Sequence, residues 1–346
     1  MDRNADGLKP QQPSRTVILI RDRALKKTKS LAVVADVGIR DPHVLLMLLS
    51  WYFFSGVTLF LNKIVLSAVP NSAALLGAAQ ISVTTGCSFI QLYYPCGMWK
   101  RTRIKPIRPP NFWRIVFLVG TFRYLTVWLG LVALDYVAVS FAETVKCSAP
   151  LFTVIISRLV VGEVATLPVI LSLVPVMGGL ALCSAHELSF NLIGFLASLG
   201  TNVSECLQSV YSKLLVSGDN TQCNPAELQF YSGFASLIFI IPTTYYALSD
   251  TFLPSLDFTL LIWYLIDGIS FHFQSITANV LMGYLSPTTY SVSNTVKRAL
   301  LIWCSILVFG NPVSLGAWIG TFLMLIGILL YNRAKTAVVR SVAMAD

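Results

Sequence analysis

Ten apolar stretches, each about 20 residues long and separated by short polar joints, constrain this chain more than anything else in it. Their limits are 44–66, 73–95, 113–134, 138–160, 166–183, 190–212, 228–247, 259–281, 289–310 and 314–331. A helix of that length spans the roughly 30 Å hydrocarbon layer, because in lipid every backbone N–H and C=O must be satisfied internally. The joints carry turn-forming residues, as in Val69-Pro70-Asn71, Arg108-Pro109-Pro110 and Gly310-Asn311-Pro312. Only Asp135-Tyr136 divides spans three and four, the least marked boundary. Charged residues make up 12% of the chain, about half the share of a soluble globular domain. The expected class is an all-α integral membrane protein.

Charge placement orients the spans. With the N-terminus in the cytosol, the odd-numbered joints are lumenal and carry no Lys or Arg, only Asp135, Glu187, Asp250 and Asp257. Cytosolic segments take Arg21, Arg23, Lys26, Lys27, Lys29 and Arg40, then Lys100, Arg101, Arg103, Lys105, Arg108 and Arg114. They also take Arg158, Lys213, Arg333, Lys335 and Arg340, the asymmetry of the positive-inside rule. Both termini are thus expected in the cytosol. The net charge of +9 reflects topology and anionic lipid rather than nucleic acid. Seven scattered cysteines fit neither a disulfide framework nor a zinc site, and His272 has no second His or Cys at metal spacing. No metal or cofactor is expected. The one sequon, Asn202-Val203-Ser204, falls inside a span and is discounted.

Two strings put cations inside apolar runs: Thr144-Val145-Lys146 in span four and Thr295-Val296-Lys297-Arg298 in span nine. A charge near the middle of a membrane helix costs roughly 2.5 to 3.5 kcal/mol on insertion scales, so such residues usually face a cavity and meet an opposite charge. Gly162 precedes Gly179 by the same interval as Gly310 precedes Gly327, so spans four and five echo spans nine and ten. Five spans per half is an odd number, which inverts the second half in the membrane, as in many secondary transporters. The expected organisation is a basic tail over 1–43, one five-helix repeat over 44–183, an inverted one over 190–331, and a cytosolic tail over 332–346. Each lysine lies about eight residues into its span, roughly 12 Å deep against a half-thickness of about 15 Å. The cations therefore approach one midplane from opposite sides, as a carrier of an anionic small molecule requires.

Further polar residues lie within spans. Glu143 sits three residues before Lys146, within pairing reach on a helix, as a static ion pair, a counter-ion in the empty carrier or a proton site. Arg123 reads as a site or gate residue, or as half of a packing ion pair. Tyr290, Asn294 and Gln274 read as orienting groups for the organic part of a substrate, or as packing. Lys63 reads as snorkelling to the interface, and Glu205, Asp267 and His272 as intramembrane polar groups or salt-bridge partners. Gly178-Gly179 and Gly200 read as close-packing positions, and Gly162 and Gly310 as helix ends. A membrane enzyme is disfavoured, because no nucleophile, base or metal constellation is visible.

The string Val139-Ser140-Phe141-Ala142-Glu143-Thr144-Val145-Lys146 resembles a VSF-x-x-TVK motif of plastid phosphate translocators. Ser286 to Arg298 resembles their SP-x-TH-x-V-x-N-x-x-KR motif. Trp51–Lys63, Pro109–Phe112, Ala149–Arg158, Pro175–Cys183, Pro225–Tyr231 and Phe309–Ser314 are similar to the E branch of solute carrier family 35, within the triose-phosphate/nucleotide-sugar transporters of the drug/metabolite transporter superfamily. The resemblance implies a ten-helix fold and an organic-anion antiporter, exchanging small phosphorylated metabolites, in the Golgi membrane. It carries the substrate-phosphate role onto Lys146, Lys297 and Arg298. Where the translocators have histidines, this chain has Glu143, Tyr290 and, in span three, Val127, with Arg123 one turn earlier. A substrate-contacting tyrosine falls on Gln274. The anchor is kept while its surroundings differ, which leaves a nucleotide-sugar/nucleotide-monophosphate antiporter and a non-transporting scaffold as alternatives.

Overall fold

A computed structural model describes residues 41–69, 72–94, 111–156, 158–159, 165–188, 190–216, 224–248, 258–285, 287–310 and 313–344. The basic tail before residue 41, the basic run of residues 100–108, Gly162, Cys96 and Cys223 lie outside them. Every element among the described residues is helical. The helices α1 (Pro42–Ala68), α2 (Ala73–Tyr93) and α3 (Phe112–Tyr136) coincide with the first three apolar runs. They are followed by α4 (Val139–Lys146), α5 (Ala149–Ile156) and α6 (Leu167–Ala185). The second half contains α7 (Leu192–Val216), α8 (Pro225–Leu248), α9 (Phe258–Tyr284), α10 (Pro287–Phe309) and α11 (Leu315–Met344).

Seven of these segments are long and apolar enough to cross a membrane, with α4 and α5 counted together over Val139–Ile156. The other three, α7, α8 and α9, are 25, 24 and 27 residues long. That length exceeds what a roughly 30 Å layer needs at 1.5 Å per residue. Their apolar character is diluted by interior polar side chains, among them Asn202, Gln229, Asp267 and His272, all buried. Side chains such as Leu46, Phe234, Ile241 and Phe322 point outward and are more than half exposed, as a lipid-facing surface demands.

Local chemistry sets the helix ends. Asp41 opens α1, its Oδ1 accepting from the backbone N–H of His43 at 2.9 Å, with Pro42 in the first turn. Gly310, expected at a helix end, follows the last residue of α10 with φ +60°, a left-handed conformation that costs glycine little. The last helix does not stop near residue 331 but runs through Asn332 to Met344.

Span four departs from the continuous helix expected over 138–160. It breaks after Lys146, because Pro150 has no N–H to give the Lys146 carbonyl and its ring would collide with that carbonyl. The last turn of α4 tightens instead: Cys147 N–H donates to Thr144 O at 2.9 Å and Ser148 N–H to Val145 O at 3.0 Å.

Packing between helices relies on small residues, since lipid offers no hydrophobic drive for helices to associate. The pair α6–α11 is the most intimate. A Cβ on Gly179 would lie 2.6 Å from Gly320 O, and one on Gly327 would lie 2.8 Å from Val176 N. Gly179 and Gly327, which follow Gly162 and Gly310 at the same interval, thus both lie in the α6–α11 seam. Gly178 touches nothing closer than 3.9 Å and Gly200 only the flexible end of Leu129, so Gly179 alone in that trio sets a backbone approach. Other contacts run α3–α7, α1–α9, α2–α8, α2–α9, α3–α8, α4–α10, α4–α7 and α5–α7. Several hydroxyls inside the bundle are satisfied by the preceding turn, as Thr85 with Ile81 O at 2.7 Å and Thr144 with Ser140 O at 2.8 Å.

Candidate functional site

The break in span four ends α4 at Lys146 and presents that cation at the carbonyl end of a short helix, where the local dipole favours positive charge. Asn202 of α7 supports the break. Its side-chain amide donates to Val145 O at 3.0 Å and to Ser148 Oγ at 3.1 Å, and the residue is wholly buried. The sequon it belongs to is inaccessible in the bundle. Substituting Asn202 by leucine should lower thermal stability by about 1–3 kcal/mol, the cost of losing two buried amide hydrogen bonds that tie α7 to the break. It should also weaken any transport more than the stability loss alone explains. The check is thermal unfolding of the detergent-solubilised variant alongside its flux at a temperature where it remains folded.

Next to the break, four charged groups from three helices meet. Lys146 Nζ lies 2.8 Å from Glu143 Oε1, the i,i+3 pair anticipated on α4. Arg298 of α10 reaches the other Glu143 oxygen with Nη1 at 3.9 Å. Its Nη2 lies 3.5 Å from Glu205 Oε2 of α7. Glu143 thus sits between two cations, one from each half of the chain, and Arg298 lies between two carboxylates. Side-chain exposure grades from 7% for Glu143 through 10% for Arg298 and 16% for Lys146 to 44% for Glu205. The cluster is buried at Glu143 and opens at Glu205. Taking such charges out of water costs several kcal/mol per ion, and mutual pairing is what offsets it.

Lys297, adjacent to Arg298 in sequence, points elsewhere because consecutive helix positions diverge by about 100°. Its ammonium stands 4.3 Å from the ring centroid of Trp51 on α1. Trp51 in turn stacks on Tyr290, with centroids 5.2 Å apart and planes 16° apart. Tyr52 donates its hydroxyl hydrogen to Ser293 O at 2.7 Å, fastening α1 to α10 beside this group. A cation over an indole face gains roughly 0.5 to 2 kcal/mol, depending on how dry the site is. Tyr290 therefore acts on Lys297 through Trp51. Asn294 lies one turn before Arg298 on α10, partly buried.

Two expected site residues lie in a different environment. Arg123 of α3 is buried, with Nη1 3.4 Å from Ser232 Oγ of α8 and its guanidinium 5.9 Å from the ring of Phe271 on α9. Its Nε and Nη2 have no hydrogen-bond partner, and it makes no ion pair among the described residues. Gln229 and His272, paired at 3.3 Å, lie on the same two helices. Gln274 is on α9 with Oε1 buried and unpartnered. Neither contact set joins Arg123 or Gln274 to the charges of Lys146, Glu143 and Arg298 among the described residues; Arg123 turns from α3 toward Ser232 of α8 and Phe271 of α9.

Lys63 departs from its expected snorkelling. Its ammonium donates to Leu134 O at 2.6 Å and Val137 O at 3.3 Å, closing the end of α3 and the turn into α4. Asp267 is fully buried and accepts from Gln80 at 2.8 Å, and the same Gln80 amide reaches Asn62 at 2.8 Å, tying α9, α2 and α1. Trp51 and Glu205 are the members of the charged group that sequence reasoning did not place there. For Glu205 the signal was an acidic residue inside an apolar run; for Trp51 there was none, since an aromatic in a membrane helix is ordinary.

Access to the cluster is unequal on its two sides. All residues of α4 before Lys146 are buried, whereas in α5 only Ile156 is. A narrow crevice with room for about 10 Å³, lined by Ser140, Thr144, Cys183, Glu187, Trp318 and Thr321, lies beside α4, but Glu143 itself does not line it. Spanning helices around a paired, mid-bundle charge cluster define a multi-pass membrane protein.

The sequence model of the Triose-phosphate Transporter family matches residues 42–332, and the chain belongs to that family, whose members are transporters and not enzymes. The chain is 27% identical over 296 residues to glucose-6-phosphate/phosphate translocator 1, chloroplastic, of Arabidopsis thaliana, covering 83% of this chain and 74% of that one. It is 31% identical over 296 residues to phosphoenolpyruvate/phosphate translocator 3, chloroplastic, of Oryza sativa subsp. japonica, with 84% and 74% covered. A protein of known crystal structure superposes with a TM-score of 0.50 at 18% identity, over 84% of this chain and 95% of its own, a likeness of fold alone.

Proposed function

We propose that this protein is a secondary-active antiporter that exchanges small phosphorylated metabolites across an endomembrane by alternating access. The observation that carries the proposal is the meeting of Lys146 from the first half with Arg298 from the second, on one bridging carboxylate, Glu143. A phosphate group entering there joins Glu143 as an anion between them: Arg298 offers a planar fork and Lys146 a point charge. Lys297 adds a third cation by turning from the Trp51 face. Both named relatives pair a phosphorylated metabolite with phosphate, and glucose 6-phosphate and phosphoenolpyruvate have little in common beyond the phosphate. Tyr290 and Asn294 lie where the organic part would extend, while Arg123 and Gln274 serve as gate or packing residues on α3 and α9.

The architecture we propose is ten spans, with α4 and α5 as one, arranged as two inverted repeats over 44–183 and 190–331. The contact pattern supports it. Exchanging the first five spans with the second five converts α3–α7 into α9–α1, α2–α9 into α8–α3, and α4–α6 into α10–α11. The pairs α6–α11, α2–α8 and α4–α10 map onto themselves. Positive-inside placement supports cytosolic termini. α5, less buried than α4, then lies on the cytosolic side of the cluster. The Golgi membrane is the proposed location on resemblance; the named relatives are chloroplastic, and subcellular fractionation decides between the two.

Counterflow in liposomes reconstituted with the full chain tests the function. The panel contains inorganic phosphate, a small phosphodiester, phosphoenolpyruvate, triose and pentose phosphates, and nucleotide sugars. Exchange of a small phosphate, reduced roughly tenfold or more in Lys297→Ala, is the expected result. Exchange of nucleotide sugars alone would move the function to that substrate class. Folded protein that moves nothing would be a scaffold.

A further inference from the structure

We infer that the transported phosphate ester carries one net negative charge, as a phosphodiester does, or a phosphomonoester that also bears an ammonium group. This rests on the phosphate-exchange reading and narrows it. Lys146 and Arg298 are matched one for one by Glu143 and Glu205, at 2.8, 3.9 and 3.5 Å. Among the described residues Lys297 is the charge left over at this cluster: its ammonium lies over the Trp51 ring at 4.3 Å and makes no ion pair with a carboxylate of its own. The site is therefore cationic by one charge and not by three.

A carrier that occludes its solute removes water from every charge in the site, and an unmatched one costs several kcal/mol. A monoanion leaves the occluded site neutral. A dianion leaves it negative by one, with Glu143 or Glu205 forced off its partner. Burial sharpens the rule: Glu143 and Arg298 are almost wholly enclosed, so water does not screen the surplus. Glu205, 44% exposed at the open edge, is the carboxylate placed to meet an ammonium on the substrate, since only part of its surface is committed to Arg298.

Two probes of one shape separate the cases. Phosphocholine carries a phosphomonoester and a quaternary ammonium, for a net charge near −1. In 3,3-dimethylbutyl phosphate a carbon replaces the nitrogen, so at pH 7.5 the molecule is close to a dianion. Each is offered against labelled inorganic phosphate in counterflow with the reconstituted full chain, its Glu205→Gln variant and its Glu143→Gln variant. The expected result is a preference for phosphocholine of roughly tenfold or more in the parent. Glu205→Gln, whose site gains one positive charge, should shift the preference toward the dianion by a similar factor. Equal or better exchange of the dianion by the parent, with no shift in either variant, would overturn the charge rule and leave phosphate exchange standing. Exchange of neither ester nor phosphate by folded protein would overturn the phosphate reading and this inference with it.

Discussion

Arg298→Ala will reduce exchange to the background of protein-free liposomes. The guanidinium stands between Glu143 at 3.9 Å and Glu205 at 3.5 Å, so its removal deletes the phosphate fork and leaves a carboxylate pair facing the incoming anion. Breaking a buried pair costs about 3–5 kcal/mol, equivalent to roughly two to three and a half orders of magnitude in an equilibrium constant. Arg298→Lys should restore little, because one ammonium cannot span both carboxylates as the planar fork does. Counterflow and size-exclusion profiles measured on the same preparations separate this from misfolding. A folded Arg298→Ala protein exchanging at a tenth of the parent rate or more would remove Arg298 from the site.

Glu143→Gln will act on the empty carrier more than on the loaded one. With Glu143 in place, Lys146 and Arg298 are paired without any solute, so the empty site holds one unmatched cation, Lys297, rather than two, and a slow leak of unloaded carrier is expected. The amide holds its shape but no charge, and occluding the bare site then buries cations that only Glu205 helps to balance. Efflux into medium without exchangeable anion should fall roughly tenfold or more, while counterflow falls less. The ratio of the two fluxes is the readout. An unchanged or higher leak in the variant would make the Glu143–Lys146 contact a structural pair.

These expectations depend on features that were legible to different degrees. The spans were plain: α1, α2, α3 and α6 to α10 lie within a few residues of the apolar runs, because run length and bounding Pro, Gly and Asn residues act locally. The Glu143–Lys146 pair was equally plain, since three residues on a helix always bring two side chains to one face. Pro150 marked a break in span four, yet the break was read as continuous helix; its consequence depends on Asn202, more than fifty residues away, reaching Val145 O. Arg123 had the same signature as Lys146, a cation in an apolar run. Its neighbours turned out to be Ser232 and Phe271, because it turns from α3 toward α8 and α9.

The sequence by itself determined which segments are long apolar helices, where along the chain the basic residues cluster, and that Lys146, Lys297 and Arg298 fall inside apolar runs. Those are consequences of transfer energies and helical rise, which each segment obeys alone. The tertiary structure decided that Glu205 meets Arg298, that Trp51 rather than a carboxylate meets Lys297, and that Arg123 stands apart. Such pairings follow from where helices touch, and in lipid that is set by close approaches such as Gly179 against Gly320, whose partners lie far apart in the chain.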